Sequence, residues 1–324
     1  MIEAEGLTKR YGDKLAVDHI SFRVEPGKVT GFLGPNGAGK STTMRMIMGL
    51  DRPTAGHVHL NGQPYASLRS PLTEVGALLE AKAVHTGRSA RNHLRALAAT
   101  HGISDKRVTE VIAMTGLSEV AGKRVGGFSL GMGQRLGIAA AMLGDPRTLI
   151  LDEPVNGLDP EGVLWVRTLV RFLAHSEGRT IFLSSHLMSE MALTADELIV
   201  IGRGRIIASG PVSEIVARGT RSTVRVRSPH ATRLAELLAG PDVVVTATEP
   251  GLLEVFGPSA EQVGDTAAAA GLTLHELTPV RGSLEDAYLS LTQDEVEFHA
   301  EAPHESAPTD APATGATSTT EEVR

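Results

Sequence analysis

The chain has 324 residues, of which 41% are hydrophobic and 21% charged, a balance typical of an ordered globular protein. It has no apolar run long enough to span a bilayer and no signal-peptide pattern at Met1–Gly6. It also has no cysteine, which excludes disulfides, thiolate metal sites and a cysteine nucleophile. The net charge of −7 disfavours a nucleic-acid binder with a dominating basic surface. We therefore expect a cytoplasmic protein that has no nucleic-acid partner.

The first predicted elements are strand-like residues Ile2–Val24 with a turn at Tyr11–Asp13, which indicate an N-terminal antiparallel β subdomain. Short apolar strands then alternate with helical patterns, as in a mostly parallel sheet covered on both faces. These strands are Val29–Leu33, Thr148–Leu151, Thr180–Leu183 and Glu197–Ile201. A helical block at about residues 84–142 is predicted as an inserted helical subdomain. The predicted fold class of this part is α/β.

A boundary near Gly210–Arg221 separates this first domain, at residues 1–215, from a small α+β appendage at residues 220–295. The appendage is predicted from strand and helix patterns at Ser222–Arg227, Thr232–Ala239, Val243–Thr246, Leu252–Phe256 and Ala260–Ala270. Residues 299–324 are rich in Ala, Pro, Ser, Thr and Glu and have few large apolar side chains. They are predicted to form a disordered acidic tail.

A glycine-rich segment matches the pattern G-x-x-x-x-G-K-[ST] between an apolar strand and a helical pattern. Its residues are Gly34, Pro35, Asn36, Gly37, Ala38, Gly39, Lys40 and Ser41, and Thr42 continues the helix. The glycines let successive backbone N–H groups face one anion at a helix N-terminus. Lys40 would neutralise β- and γ-phosphate oxygens, and the Ser41 hydroxyl would coordinate Mg²⁺. This P-loop predicts a nucleoside triphosphate site.

Two adjacent acids follow the apolar strand Thr148–Leu151 and are candidates for metal binding and proton transfer. Asp152 would hold Mg²⁺, and Glu153 would accept a proton from the attacking water. Since consecutive side chains of a strand point to opposite sides, we expect the two acids to take different roles. The alternative is a solvated acidic turn after a buried strand, which the P-loop makes the weaker interpretation.

Together these motifs resemble the ATP-binding subunit of an ABC transporter, over roughly Ile2–Gly210. The resemblance implies that Tyr11 stacks on adenine and that His186 contacts the γ-phosphate as a switch histidine. It implies that Ser129 and Gly131, at the start of a helix, form the signature site that completes the nucleotide pocket of the opposite subunit. Asp159 would lie in the loop that links the paired subunits. The Ser129–Met132 segment, Ser-Leu-Gly-Met, resembles that of bacitracin- and daunorubicin-type exporters.

Glu80 departs from the wider family, which usually has glutamine after the corresponding strand. A carboxylate here would still bind Mg²⁺ or water, but it adds negative charge near the γ-phosphate. The exporter subgroup often has the same residue, so Glu80 is retained as a candidate metal ligand and sensing position.

The resemblance implies an ATPase that binds ATP and Mg²⁺, pairs with a second copy or a related subunit, and drives a separate integral membrane permease. Its place would be the cytoplasmic face of the membrane, and a drug-like or lipophilic molecule would be exported. One alternative is a soluble ABC-type ATPase that acts on nucleic acid or ribosomes. Another is a P-loop kinase, which would explain Lys40 and Asp152 but not Ser129, Asp159 and His186 together.

Overall fold

The structure is a computed structural model that describes residues 1–80, 84–219, 223–241, 243–280 and 282–292. The predicted tail at 299–324 lies outside these residues. The strands are β1 (Ile2–Tyr11), β2 (Lys14–Val24), β3 (Val29–Leu33), β4 (Ala55–Leu60), β5 (Val75–Leu78), β6 (Thr148–Leu151), β7 (Thr180–Ser184), β8 (Glu197–Gly202), β9 (Arg205–Pro211), β10 (Thr223–Arg227), β11 (Val244–Glu249), β12 (Leu252–Phe256) and β13 (Glu276–Val280). The helices are α1 (Lys40–Ile47), α2 (Pro71–Glu74), α3 (Ala90–Ala99), α4 (Asp105–Met114), α5 (Leu130–Met142), α6 (Pro160–His175), α7 (Met188–Thr194), α8 (Val212–Gly219), α9 (Ala231–Leu238), α10 (Ala260–Ala269) and α11 (Leu284–Thr292).

A six-stranded sheet in the order β5-β6-β7-β3-β8-β9 forms the centre of the first domain. Its first five strands pair in parallel, and β9 is antiparallel. Every residue of β3, β6 and β7 is buried, as expected for parallel strands covered on both faces. Because parallel strands end at the same edge, the loops after β3, β6 and β7 meet there. The predicted α/β fold class is confirmed.

The N-terminal strands form a separate three-stranded sheet in the order β2-β1-β4, with antiparallel pairing throughout. This sheet packs on the central sheet through three phenylalanines, Phe22, Phe32 and Phe182, whose ring centroids lie 5.2 to 6.1 Å apart. Such a cluster contributes packing beyond its buried area. It holds β1 and its terminal residue Tyr11 beside the loop that follows β3.

The helical block between β5 and β6 consists of α3, α4 and α5, each with a serine N-cap. A serine oxygen at this position accepts from a backbone N–H that has no partner within the helix. Helix α5 lies directly on β5, since a Cβ built on Gly76 would lie only 1.9 Å from the Ala141 carbonyl oxygen. This close contact packs the C-terminal end of α5 tightly on β5.

The C-terminal strands and helices follow one another as β-α-β-β-α-β and form an antiparallel sheet in the order β11-β12-β10-β13. This arrangement is a ferredoxin-like unit. Its own apolar core includes Val224, Val226, Leu234, Leu253 and Val263. The predicted small α+β appendage is confirmed as part of the fold class.

Three strands, β4, β9 and β13, were not predicted from the sequence, and all three lie at sheet edges. Strand β13 contains Pro279, which cannot donate a backbone hydrogen bond and is tolerated at an edge. Strand β9 pairs with β8 through a tight turn in which Arg203 and Gly204 both have positive φ, 45° and 79°. The turn contacts the glycine-rich segment, because the Gly204 N–H donates to the Ala38 carbonyl oxygen at 3.0 Å.

Helix α11 packs against α7, α8 and β9 rather than on the C-terminal sheet. Leu284 and Tyr288 belong to the same apolar core as the central sheet and its helices. The chain therefore leaves the first domain after α8 and returns to it at α11. Among the described residues, no helix combines the length and apolarity required to cross a membrane.

Candidate functional site

The predicted phosphate loop connects β3 to α1 and has the backbone geometry of an anion site. Gly37 and Gly39 adopt positive φ values of 83° and 108°, which side chains rarely tolerate. A Cβ on Gly39 would also lie 2.6 Å from the Ala16 carbonyl oxygen. Gly39 is the N-cap of α1 and makes no side-chain capping bond. The first N–H groups of α1 are therefore oriented toward the cleft, where a phosphate would accept from them.

Lys40 is the first residue of α1, and its side chain folds back over the loop. Its Nζ donates to the Gly34 carbonyl oxygen at 2.7 Å and to the Pro35 carbonyl oxygen at 3.2 Å. Burial lowers the pKa of the Lys40 ammonium from its ordinary value, and the carboxylates of Glu153 and Asp152 oppose that shift. An anion placed over the loop would restore the charged form.

Two adjoining clefts lie at this edge of the sheet, with volumes of about 350 and 410 Å³. The first, which we call the phosphate cleft, is lined by Tyr11, Lys14, Ala16, Asn36, Gly37, Gly39, Lys40, Ser41, Thr42, Asp152 and Glu153. The second, which we call the switch cleft, is lined by Leu33, Gly34, Pro35, Asn36, Glu153, Asn156, Ser185, His186, Met188 and Tyr288. Asn36 and Glu153 line both clefts and so lie between them.

Asp152 and Glu153 both line the phosphate cleft, which contradicts the expectation that strand alternation separates their side chains. The physical reason is that β6 ends at Leu151, so neither acid belongs to the strand. Glu153 has a φ of 51°, in the left-handed region that non-glycine residues rarely occupy. The left-handed backbone allows two consecutive carboxylates to face one cavity.

Polar side chains on both sides of Glu153 hold this conformation. The Glu153 N–H donates to the Ser184 hydroxyl at 2.9 Å, and the Ser184 hydroxyl donates to Asp152 Oδ1 at 2.5 Å. The Gln134 side-chain Nε2 donates to the Glu153 carbonyl oxygen at 2.7 Å. Strained backbones at functional sites persist when their surroundings fix them in this way.

His186, the predicted switch histidine, lies against the Glu153 carboxylate. Its Nδ1 is 2.7 Å from Glu153 Oε2, and its N–H donates to the same oxygen at 3.4 Å. Both side chains are partly open to the clefts, with 48% of His186 and 21% of Glu153 exposed. The two side chains are therefore within hydrogen-bonding distance at the point where the two clefts meet.

Tyr11 lies at the end of β1 and lines the phosphate cleft with 46% of its surface exposed. Its hydroxyl donates to Asp51 Oδ2 at 2.9 Å, and the Lys9 ammonium lies 4.8 Å from its ring centroid. Burial, followed by the bond to Asp51, raises the pKa of the Tyr11 hydroxyl. The ring is thereby anchored at its polar end while its apolar body borders the cleft.

Ser129 and Gly131 do not line either cleft of their own chain. Ser129 is exposed and caps α5 by accepting from the Met132 N–H at 3.2 Å. Gly131 faces the next loop, since a Cβ there would lie 3.0 Å from the Gly157 carbonyl oxygen. Asp159 ends that loop and caps α6 by accepting from the Gly162 N–H at 3.0 Å.

Glu80 also lies outside both clefts. It is exposed after β5, and its charge raises the pKa of Arg45, although Asp51 is the larger cause of that shift. Its predicted metal-binding role stays a prediction.

The donor set in the phosphate cleft fits Mg²⁺. Ser41 and Asp152 offer a hydroxyl and a carboxylate, which are hard oxygen ligands. Within the described parts of the chain, no group of three or more acidic or histidine side chains is arranged to hold a metal ion without other ligands. A Mg²⁺ ion here would therefore need phosphate oxygens and water as additional ligands, which is its usual arrangement with nucleotides.

Among the residues of the site that sequence reasoning missed are Gln134, Ser184 and Tyr288. Gln134 is 4% exposed on a helix that is otherwise apolar along its buried side, and this isolated amide was the available signal. Ser184 belongs to the Ser-Ser-His segment but had no assigned role. Tyr288 comes from α11, about a hundred residues beyond the other switch-cleft residues, and burial raises the pKa of its hydroxyl to about 12.

Comparison with known proteins identifies the family. The model of the ABC transporter family matches residues 17–156, and a model for an AAA domain, putative AbiEii toxin, Type IV TA system, matches residues 124–192. A domain of unknown function matches residues 222–285. The chain belongs to the family of ABC transporter ATP-binding proteins and is an ATPase subunit.

Within that family, the chain is similar to bacitracin transport ATP-binding proteins BcrA. The protein from Bacillus licheniformis is 40% identical over 68% of this chain and 73% of its own length. The protein from Enterococcus faecalis is 34% identical over 90% of this chain and 96% of its own length. A solved ATP-binding subunit of an ABC transporter superposes with a TM-score of 0.62 at 27% identity, covering 67% of this chain and 92% of that one. These similarities confirm the predicted family and exporter subgroup.

Proposed function

We propose that two copies of this chain, or one copy and a related subunit, close around two ATP molecules and drive export of a drug-like or lipophilic substrate through a separate membrane permease. The observation that carries the proposal is the convergence of Lys40, Asp152, Glu153 and His186 on two clefts that share Glu153. This convergence supports the proposal of a charged phosphate clamp and a general base at one reaction centre.

The position of the signature residues supports the proposed pairing. Ser129 begins α5 with an exposed hydroxyl yet lies outside the clefts of its own chain. A helix N-terminus with a capping serine attracts anions. In the proposed pair, Ser129 and Gly131 of one copy contact the γ-phosphate held by Lys40 of the other. A solved relative with the same fold is described as a dimeric ABC transporter cassette.

The chemistry is proton transfer within a positioned phosphate site. The first N–H groups of α1 and the Lys40 ammonium hold the β- and γ-phosphates, and Tyr11 borders the adenine. Ser41 and Asp152 would hold Mg²⁺, which neutralises charge that develops on the phosphate oxygens. Glu153 accepts a proton from the attacking water, and His186 fixes that carboxylate while contacting the γ-phosphate.

The coupling to transport is supported by the relatives and by where the helical block lies. The similar proteins are named as bacitracin transport ATP-binding proteins, so we propose a membrane-bound complex at the cytoplasmic face. A cytoplasmic helix of the permease would contact the surface near Glu80 and the start of α3. Closure of the ATP-bound pair would then move the permease, and hydrolysis would release it.

The central test is Glu153→Gln, which removes the base and preserves the shape of the side chain. We expect ATP to bind normally, turnover to fall by about 100-fold or more, and an ATP-dependent dimer to accumulate on size-exclusion chromatography. The control is Glu236→Gln on the exposed surface of α9, which should turn over ATP like the native chain. Native turnover in the Glu153→Gln variant would remove Glu153 from the role of base.

The transport partner is tested separately by purification of the chain from membranes under mild detergent. A co-purifying protein with several hydrophobic spans, whose presence stimulates ATP turnover, would support the proposal. Recovery of RNA or ribosomes in its place would favour the alternative of a soluble ATPase that acts on nucleic acid.

A further inference from the structure

Helix α5 begins at the predicted signature site and contacts the backbone of Glu153, the candidate base of its own chain. Its N-terminus carries Ser129, which in the proposed pair touches the partner's nucleotide. Gln134 lies about one and a half turns further along the same helix. Its buried Nε2 donates to the Glu153 carbonyl oxygen at 2.7 Å.

The backbone of Glu153 adopts a conformation that its place in the sequence disfavours. A residue before proline normally adopts an extended backbone, and Glu153 precedes Pro154. Its φ of 51° departs from that preference and costs free energy. The contacts that oppose relaxation are the Ser184 hydroxyl on the N–H side and, on the carbonyl side, Gln134 Nε2 and the Asn156 N–H at 3.1 Å. Asn156 belongs to the same loop as Glu153, so Gln134 is the carbonyl-side donor that joins Glu153 to another element. Its loss would favour an extended Glu153 with the carboxylate turned away from His186.

Ser184 and Gln134 differ in the element that carries them and in whether that element could be displaced. Ser184 belongs to the buried strand β7 of the same sheet, so its position is fixed. Gln134 belongs to a helix whose neighbouring residue, Arg135, holds the helical block and α6. The Arg135 guanidinium donates to the Thr115 carbonyl oxygen at 3.2 Å and lies 4.8 Å from the Trp165 ring centroid. A displacement of α5 would therefore move Gln134 and weaken its hydrogen bond to the Glu153 carbonyl oxygen.

We infer that Gln134 is a positioning residue that holds Glu153 in its left-handed conformation, so that contact of α5 with the partner's nucleotide controls the catalytic carboxylate of its own chain. This inference rests on the proposed two-copy site. In this arrangement, α5 of each copy connects the two ATP sites. Ser129 at its start contacts the nucleotide of the partner, and Gln134 further along holds Glu153 of its own site.

The first test is Gln134→Met, which removes the donor and keeps an unbranched side chain of similar length. We expect kcat for ATP hydrolysis to fall by about 10- to 100-fold, while the Kd for ATP and the melting temperature change little. Gln134→Leu is the second variant if the first folds poorly. Native kcat in either folded variant, or equal losses in kcat and ATP affinity, would overturn the positioning role.

The second test uses mixed pairs of two differently tagged copies, in which Glu153→Gln silences one site. We call the copy with the native Glu153 the live copy. Gln134→Met in the live copy should lower turnover at least about tenfold more than the same substitution in the silenced copy. Equal losses in the two arrangements would show that Gln134 does not act on the Glu153 of its own chain.

The third test addresses the connection between sites. Ser129→Asp in the live copy keeps the helix cap but repels the triphosphate of the silenced site. We expect turnover at the live site to fall, although its own nucleotide contacts are unchanged, and to fall no further when Gln134→Met is present in the same chain. Additive losses would assign the coupling to another route, such as the Gly131–Gly157 contact, and overturn the inference.

Failure of the proposed function would give a different experimental result from failure of this inference. If mixed pairs of native and Glu153→Gln copies do not form in the presence of ATP, the two-copy site itself is wrong. If they form and retain turnover at the live site, the two-copy site stands, and the Gln134 and Ser129 variants decide the inference alone.

Discussion

Lys40 shows how a single residue prepares the site for a highly charged ligand. Without a phosphate, its ammonium is satisfied by the carbonyl oxygens of Gly34 and Pro35, and burial lowers its pKa. A triphosphate accepts the same donors and favours the charged form, so it raises that pKa. The pKa of Lys40 is therefore lower in the free site than in the ATP-bound site. At an alkaline pH between these two values, ATP binding would be accompanied by proton uptake at Lys40.

The resulting prediction concerns pH. ATP affinity should fall as pH rises through the pKa of free Lys40, by up to about tenfold per pH unit, because the free site has lost the proton that the complex requires. Isothermal titration between pH 7 and 10 measures this dependence. Lys40→Arg, which stays charged across the range, should flatten the curve, whereas Lys123→Ala on the exposed surface should reproduce it. An equally steep curve for Lys40→Arg would assign the dependence to another group.

At the scale of single elements, β5 approaches α5 at Gly76 with no side chain between the two backbones. A Cβ on Gly76 would lie 1.9 Å from the Ala141 carbonyl oxygen and 2.9 Å from Pro146 Cγ. We expect Gly76→Ala to lower the free energy of unfolding by about 1 to 3 kcal/mol or more, because backbone must move to admit one methyl group. Chemical denaturation measures the change.

Gly122→Ala is the matched control, because a Cβ there meets nothing within 4 Å. Its effect on the free energy of unfolding should stay within about 0.5 kcal/mol. Since α5 also carries Ser129 and Gln134, Gly76→Ala should in addition lower ATP turnover in whatever fraction remains folded. A Gly76→Ala protein as stable as Gly122→Ala would contradict the close contact of β5 and α5.

Elements with a strong local pattern were predictable, whereas contacts between distant residues were not. Strands β3 and β6 stood out as apolar runs, and the glycine-rich segment identified the phosphate loop because its spacing reflects a local backbone requirement. Glu153 was found as a candidate base, but its left-handed backbone was not, because Ser184 and Gln134 impose it from elsewhere in the chain. Strand β13 was not predicted because Pro279 argues against a strand in the sequence. Proline is tolerated there only because β13 lies at a sheet edge, which the sequence does not reveal.

At the scale of the whole molecule, α11 belongs to the ATPase core although it follows the ferredoxin-like unit. Leu284, Ala287 and Tyr288 are buried, and Tyr288 lines the switch cleft. Truncation after Gly219 should therefore lower the urea midpoint of unfolding, since a large buried side chain contributes about 1.5 to 3 kcal/mol. In a second variant, a short Gly–Ser linker replaces residues 223–280, so that α11 remains in the chain. The urea midpoint of this variant should lie closer to that of the native protein. Equal midpoints for the two shortened chains would contradict a stabilising role of α11.

The return of the chain at α11 has a consequence for how such proteins diversify. The ferredoxin-like unit begins four residues after α8 ends and finishes four residues before α11 begins. Both of its attachment points therefore lie on helices that pack against each other. A unit joined in this way can be lengthened, shortened or exchanged for another without moving any group that handles ATP.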